Sequence, residues 1–370
     1  MELYIHVPFC VRKCAYCDFL SGPSSRGERT KYVQALLGEM RAVRETVGEK
    51  ITSVYIGGGT PSLLEEDLLA LLLKEVNERF YLLPGAEFTM ECNPGTLGEE
   101  KLAILREWGV NRLSLGLQSP RDEDLRLLGR IHTYQEFLQS YTLARRAGFA
   151  NIGIDLMYGL PGQKREHWAE NLDIVASLGP EHLSCYCLAI EEGTPFSRMK
   201  LDLPDDEVQG EMFEDTAEIL KKYSLHQYEF SNYARPGFPS RHNVGYWTGE
   251  DYLGVGLGAA SLIRGKRFSN TRDMSEYLSL SRHPAQIRKD EVVLAPSERM
   301  SEYLFLGLRL TRGISLAGFE KSFGVPLMRI FGEAVEKHRR LGMLTLSGDS
   351  LALTRQGILV SNQVLCDFLC

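Results

Sequence analysis

Hydrophobic positions along this chain follow two alternating rhythms. Short runs dense in β-branched and aromatic residues stand at 3–7 (LYIHV), 53–57 (SVYIG), 87–91 (EFTME), 112–118 (RLSLGLQ), 151–159 (NIGIDLMYG) and 182–190 (HLSCYCLAI), the signature of strands. Between them, apolar residues recur every three or four positions in TKYVQALLGEMRAVRE, EEDLLALLLKEVNERF, LGEEKLAILREWG and TYQEFLQSYTLARRAG, the helical period. The last pattern ends at Gly148, and glycine reaches the left-handed conformation of a helix C′ position without strain. Strands with helical crossovers predict an α/β fold with a parallel sheet.

The distinctive residues fall where these strands end: GGGTP after the second, ECNP after the third, LQS after the fourth and DLMYGLP after the fifth. The loops of a (β/α) barrel build their site at strand C-termini, although a doubly wound sheet also binds there. Six units in place of eight predict a partial (β/α)6 TIM-like barrel, open on one side to a large substrate, over residues 1–235. The texture then changes. An acidic helix, DDEVQGEMFEDTAEILKKY, leads to HNVGYW and LGVGLGAAS, and 236–295 reads as a connecting segment. From Pro296 the order is helix, short helix, helix and two short strands, MLTLS and SLALT, a winged-helix-like, mainly helical domain over 296–370. Its charges alternate without a basic recognition face, which suits packing or docking better than nucleic acid.

Composition narrows the partners. No apolar run approaches the roughly 18–20 residues of a membrane span, and the N-terminus lacks the basic start and cleavage site of a secretory signal, so cytoplasm is the expected compartment. A net charge of −7 argues against DNA or RNA, whose binding rests on phosphate neutralisation. Eight cysteines in such a chain point to metal or redox chemistry where they are close together. That is the case for Cys10, Cys14 and Cys17, spaced C-x3-C-x2-C. Three thiolates on one loop can hold three irons of a four-iron cluster and leave the fourth open. The alternatives are a structural zinc with His6 as fourth ligand, or merely buried thiols. The glycines of GGGTP let backbone N–H groups approach a ligand with no Cβ in the way, or make an ordinary turn.

The cysteine spacing, Tyr16 before the third cysteine, and GGGTP after the next strand together resemble the radical S-adenosylmethionine (SAM) superfamily. YIHVPFC, GGGTPS, ECNP, GLQS, LGRIHT, DLMYGLPGQ, EEGTPF and HNVGYW resemble, in order along nearly the whole chain, the haem chaperone family and its relative, oxygen-independent coproporphyrinogen III oxidase. The resemblance implies a radical-SAM-type barrel with a 4Fe-4S cluster on Cys10, Cys14 and Cys17. It also implies SAM contacts from Tyr4, Tyr16, Gly58, Gly59, Thr60, Glu91, Gln118, Arg130 and Asp155, and by flanking pattern alone from Ala189 and Ala260. Ala15 and Glu192 stand where the family commonly has proline.

Two expectations compete on this scaffold. One is a haem chaperone with haem as cargo; the other is the oxidase, which converts propionates of coproporphyrinogen III to vinyl groups. The oxidase pattern carries a further cysteine two residues after the third, where this chain has Phe19, and an N-terminal extension before the first strand, which here begins at residue 3. HNVGYW matches the H-N-x-x-Y-W signature of the chaperone branch, which makes His242 a candidate axial haem ligand, although on physical grounds a polar turn packed by two aromatics is the commoner case for a single histidine. The chaperone expectation brings with it haem-acceptor proteins, respiratory ones among them, an electron donor such as flavodoxin or ferredoxin, and membrane contact only through acceptors. A homodimer is compatible with it. Cys92, Cys185, Cys187, Cys366 and Cys370 are assigned to no site.

Overall fold

The computed structural model describes residues 1–44 and 50–369; Glu45, which ends the first helical pattern, and Cys370 lie outside them. The six expected strands are β1 (Glu2–Val7), β2 (Lys50–Gly58), β3 (Tyr81–Cys92), β4 (Arg112–Gln118), β5 (Ile152–Tyr158) and β6 (His182–Cys187). They pair in parallel and in sequence order, with helices between them. Right-handed crossovers between successive neighbours keep all the helices on one side. The order has no point of reversal, which separates this partial barrel from a doubly wound sheet.

Period two gives each strand two faces of opposite chemistry. Leu3, Ile5 and Val7, then Val54 and Ile56, Leu113, Leu115 and Leu117, and Ile152, Ile154 and Leu156 are fully buried. Their rows join one core with helix residues such as Leu36, Leu72 and Trp168. Each such side chain contributes about 1.5–3 kcal/mol on burial. The alternate positions are polar: Ser53 and Tyr55, Glu91, Arg112 and Ser114, Asp155, Ser184. The barrel interior is therefore a polar surface framed by an apolar shell.

Residues 236–295 do more than connect. β9 (Tyr252–Val255) pairs in parallel with β1, and β10 (Ala260–Ile263), β11 (Lys266–Asn270) and β12 (Arg288–Val293) extend that edge in antiparallel fashion. β7 (His226–Gln227) and β8 (Asn232–Ala234) extend the other edge, giving a mixed twelve-stranded sheet. Glu39, on the helix Arg26–Arg44, ties the added strands down. Its buried carboxyl accepts from the Tyr277 hydroxyl at 2.6 Å, the Gly256 N–H at 2.8 Å and the Asn270 amide at 2.6 Å.

The C-terminal region has its own core of Leu304, Phe319, Phe331, Val335, Leu351 and Phe368. Three helices, Pro296–Gly307, Leu316–Phe323 and Leu327–Arg340, pack with a three-stranded sheet of β13 (Ile314–Ser315), β15 (Ser350–Leu353) and β14 (Leu344–Ser347), in that order. No helix among the described residues is long and apolar enough to cross a membrane.

Glu2 and His242 are buried side by side, with Nδ1 of the imidazole 3.9 Å from the Glu2 carboxyl. Glu2 accepts from Ser53 Oγ at 3.1 Å, and burial pushes its carboxyl up to about 8. Burial holds the neighbouring His242 down at about 3. Both are neutral near pH 7. A raised carboxyl contributes stability that is full below its unfolded value near 4.5 and is lost as pH rises through about 8. A depressed histidine works in the opposite direction, its contribution lost as pH falls from 6.5 toward 3. Glu2→Gln is therefore expected to gain on the parent chain by at least about 1 kcal/mol between pH 5 and pH 9, read as denaturant stability at each pH. An equal difference at the two pH values would contradict the buried neutral carboxyl.

Candidate functional site

At the C-terminal ends of the barrel strands lies a cavity of about 410 Å³, with Cys10, Cys14 and Cys17 in its wall. The loop that carries them is pinned by backbone hydrogen bonds: Cys10 N–H to Gly22 O at 2.9 Å, Ala15 N–H to Leu128 O at 3.0 Å and Phe196 N–H to Ala15 O at 3.0 Å. The thiols are half-buried. Two of them receive donors, Cys10 Sγ from Thr60 Oγ1 at 3.5 Å and Cys14 Sγ from Arg130 Nη1 at 3.6 Å. Donors of this kind stabilise thiolate, the form that ligates iron. Burial pushes the free Cys17 thiol up, so ligation there costs a proton.

Arg130 also donates to Asn93 Oδ1 at 2.8 Å and to Gly116 O at 2.6 Å, while its Nε has no partner among the described residues. Glu91 accepts from the Tyr55 hydroxyl at 2.8 Å and the Gly58 N–H at 3.0 Å, and burial lifts its carboxyl to about 7. Asp155 accepts from Ser114 Oγ at 3.2 Å and is likewise raised by burial. Arg112, 2 % exposed and with Nε unpartnered among the described residues, opposes both shifts with its charge. Gln118 ends β4 at φ 74°, a conformation rare outside glycine. Such strain persists where surrounding contacts hold it, often beside a ligand.

The GGGTP turn differs in mechanism from the sequence expectation. Its N–H groups are already bonded, Gly58 to Glu91, Gly59 to Val7 O at 2.9 Å and Thr60 to Phe9 O at 2.7 Å. Glycine is required by close packing. A Cβ on Gly59 would stand 2.6 Å from Phe9 O, and one on Gly58 2.5 Å from the His6 ring. The turn is thus clamped against the start of the cysteine loop.

Tyr16, Gly58, Gly59, Thr60, Glu91, Gln118, Arg130, Asp155 and Ala189 all reach this cavity. Tyr4 does not line it. Its hydroxyl bonds His6 Nδ1 at 2.9 Å and its ring stacks on Tyr55 at 6.3 Å, one layer below. Ala260 is exposed on β10, among the strands added beyond β1, and its expected contact finds no support. His6 is excluded as a fourth zinc ligand, because its Nε2 is bonded to Leu20 O at 2.9 Å while Tyr4 holds the other nitrogen.

The HNVGYW stretch is a helix, Arg241–Thr248, not a turn. Ser240 caps it, Gly249 ends it in the left-handed region, and the Glu87 carboxylate accepts from the N–H groups of Arg241 and His242. The surroundings of His242 fit the packed reading better than an axial haem ligand. It is 1 % exposed, with Nδ1 on Ser53 Oγ at 2.9 Å, Nε2 on the Tyr246 hydroxyl at 3.0 Å and its ring stacked on Tyr55. Neither nitrogen is free for iron. The same helix sends Asn243 into the cysteine cavity.

The remaining cysteines stay apart from the cavity floor. Cys185 follows the parity of Leu183 into the apolar core, and Cys187 bonds Gln209 Oε1 at 3.0 Å, its thiol raised by burial to about 11. Cys92 is 2 % exposed and touches the wall from within the core. The sequence reading missed Tyr55, Asn93, Arg112, Ser114, Ser184 and Tyr186, which also line the cavity. Strand parity groups them with Glu91, Gln118 and Asp155 on one face of the sheet, without saying which face the barrel encloses.

This donor set, three half-buried thiols with cationic and hydroxyl donors beside buried acids and guanidinium groups, fits a 4Fe-4S cluster and the zwitterionic, ribose-bearing SAM. The chain matches the Radical SAM superfamily over residues 4–175 and the HemN C-terminal domain over 294–360. It is 37% identical to the heme chaperone HemW of Bacillus subtilis over 99% of this chain and 98% of that protein. Against the heme chaperone HemW of Escherichia coli it is 42% identical over 70% of this chain and 69% of that one. Coproporphyrinogen III oxidase (HemN) from Escherichia coli superposes with a TM-score of 0.87 at 24% identity, covering 100% of this chain and 89% of that one, a likeness of fold. With 37% identity to a heme chaperone along nearly its whole length, the chain belongs to the HemW haem chaperone family of the radical SAM superfamily.

Proposed function

We propose that this protein binds haem and delivers it to haem-requiring acceptors, respiratory proteins among them, in the cytoplasm. The observation that carries this reading is likeness to a haem chaperone along 99% of the chain. Phe19 supports it. Where the oxidase pattern has a cysteine, this phenyl ring is 61% exposed at the mouth of the cysteine cavity. A radical reaction requires a site closed to solvent and side reactions, and an exposed ring at the mouth suits a carrier better.

A bound cluster would supply a one-electron centre with an open iron position for SAM. The chain's own residues divide the remaining work. Cys10, Cys14 and Cys17 hold the cluster, with Thr60 and Arg130 offsetting thiolate charge. Glu91, poised near neutrality and steered by Tyr55, accepts from an ammonium or a ribose hydroxyl, as does Asp155. Gln118 serves as donor or acceptor, and Tyr16, Gly58, Gly59 and Ala189 shape the wall. Flavodoxin or ferredoxin would serve as electron source, and a homodimer is compatible with the reading.

The test is anaerobic. Reconstituted protein receives SAM, a strong reductant and coproporphyrinogen III, and in parallel haem followed by an apo-acceptor. Stable haem binding, transfer to the acceptor and no protoporphyrinogen are expected. Sustained porphyrinogen turnover would sink the carrier reading in favour of the oxidase.

A further inference from the structure

A second cavity, larger at about 600 Å³, lies between the outer sheet strands and the C-terminal domain. Its apolar wall comes from every element around it: Trp247, Leu262, Leu306, Tyr303, Ile314 and Phe323. The acids that reach it are engaged. Glu302 holds Arg267 at 2.6 Å, Asp349 accepts the Ala317 N–H at 2.8 Å, and Asp251 accepts the Arg264 N–H at 2.9 Å. The bases are not. Arg299 and Arg312 are exposed lining residues, and among the described residues neither has a carboxylate partner; Arg299 stands only over the Phe323 ring, at 5.9 Å. Trp247 is stacked under Arg309 at 4.5 Å, and its buried Nε1 has no partner among the described residues.

An apolar slot with aromatic walls, an unanswered N–H donor and two uncommitted guanidinium groups matches a flat apolar ligand bearing two carboxylates. We propose that haem binds in this cavity, its macrocycle against Trp247, Leu306 and Phe323 and its propionates on Arg299 and Arg312. The inference rests on the reading of the chain as a haem carrier, which requires a haem site without locating it. Haem placed here leaves the cysteine cavity free for SAM. One helix then serves both sites, with Asn243 facing the first and Trp247, one turn on, facing the second.

Full-length, cluster-reconstituted protein is titrated anaerobically with haem and with protoporphyrin dimethyl ester, each with and without saturating SAM. The double variant Arg299→Ala/Arg312→Ala, both exposed positions, is expected to weaken haem binding by about tenfold or more, the loss of at least one charge-assisted contact. Its binding of the uncharged ester is expected to stay unchanged. Leu306→Trp, which fills the slot, is expected to weaken both, and SAM to displace neither. Haem affinity unchanged in both variants, or displacement of haem by SAM, overturns the site while leaving the carrier reading intact. Failure of the parent chain to bind haem at all overturns that reading and this site with it.

Discussion

Alanine at any one of Cys10, Cys14 or Cys17 is expected to abolish cluster assembly, with loss of essentially all cluster-bound iron and of the visible absorption it brings. Each thiol would hold a separate iron of the proposed cluster, and the loop offers no substitute: His6 is bonded on both nitrogens, and Cys92, Cys185 and Cys187 are packed in the core or held by Gln209. The fold should survive, because the loop is held by backbone hydrogen bonds from Cys10, Ala15 and Phe196 that alanine keeps. Iron content after anaerobic reconstitution and far-ultraviolet circular dichroism check the two halves. A Cys187→Ala chain that loses iron equally, or a Cys14→Ala chain that retains it, would place the cluster elsewhere.

The second large effect is on stability. Glu39→Ala strips the acceptor from three buried donors, the Tyr277 hydroxyl, the Gly256 N–H and the Asn270 amide. Each orphaned donor bears a desolvation penalty of about 1–3 kcal/mol, so a loss of roughly 3–5 kcal/mol is expected in chemical denaturation of the cluster-free chain. Burial lifts the Glu39 carboxyl to about 7, so it is largely protonated in mildly acid solution. Glu39→Gln keeps a neutral acceptor there and should cost far less at pH 6. Equal losses from the two substitutions would mean that the carboxyl itself, and not side-chain bulk or a neutral acceptor, holds β9–β12 to the barrel.

The alternation of strands and helices was legible because it is local. Six period-two runs separated by 3.6-period runs admit few arrangements, and the structure pairs all six in order. The cysteine loop and the GGGTP turn were legible for a similar reason, since their residues are neighbours in sequence. Legibility failed at Arg112. The same alternation that buries Leu113 against helices turns Arg112 inward, but parity names two faces without saying which one a closed sheet encloses.

His242 shows the same limit more sharply. A polar, aromatic hexapeptide looked like one ligand site, yet its helix divides the side chains between a buried network and two separate cavities. His242 and Tyr246 enter a buried network with Ser53, Asn243 faces the cysteine cavity, and Trp247 faces the second cavity. That distribution depends on the helix being seated on Glu87, more than 150 residues earlier in the chain.

By itself, then, the sequence determined the strands and helices of the parallel core, because short-range periodicity encodes them, and it carried the motifs whose resemblance pointed to the family that the comparison with known proteins shows. Tertiary structure alone decided that β9 joins β1, that the barrel interior carries the polar rows, and that His242 is a packed post. Those outcomes rest on contacts between distant parts of the chain, 217 positions for Glu39 with Gly256 and 189 for His242 with Ser53, where burial and hydrogen-bond satisfaction are settled only when the sheet closes.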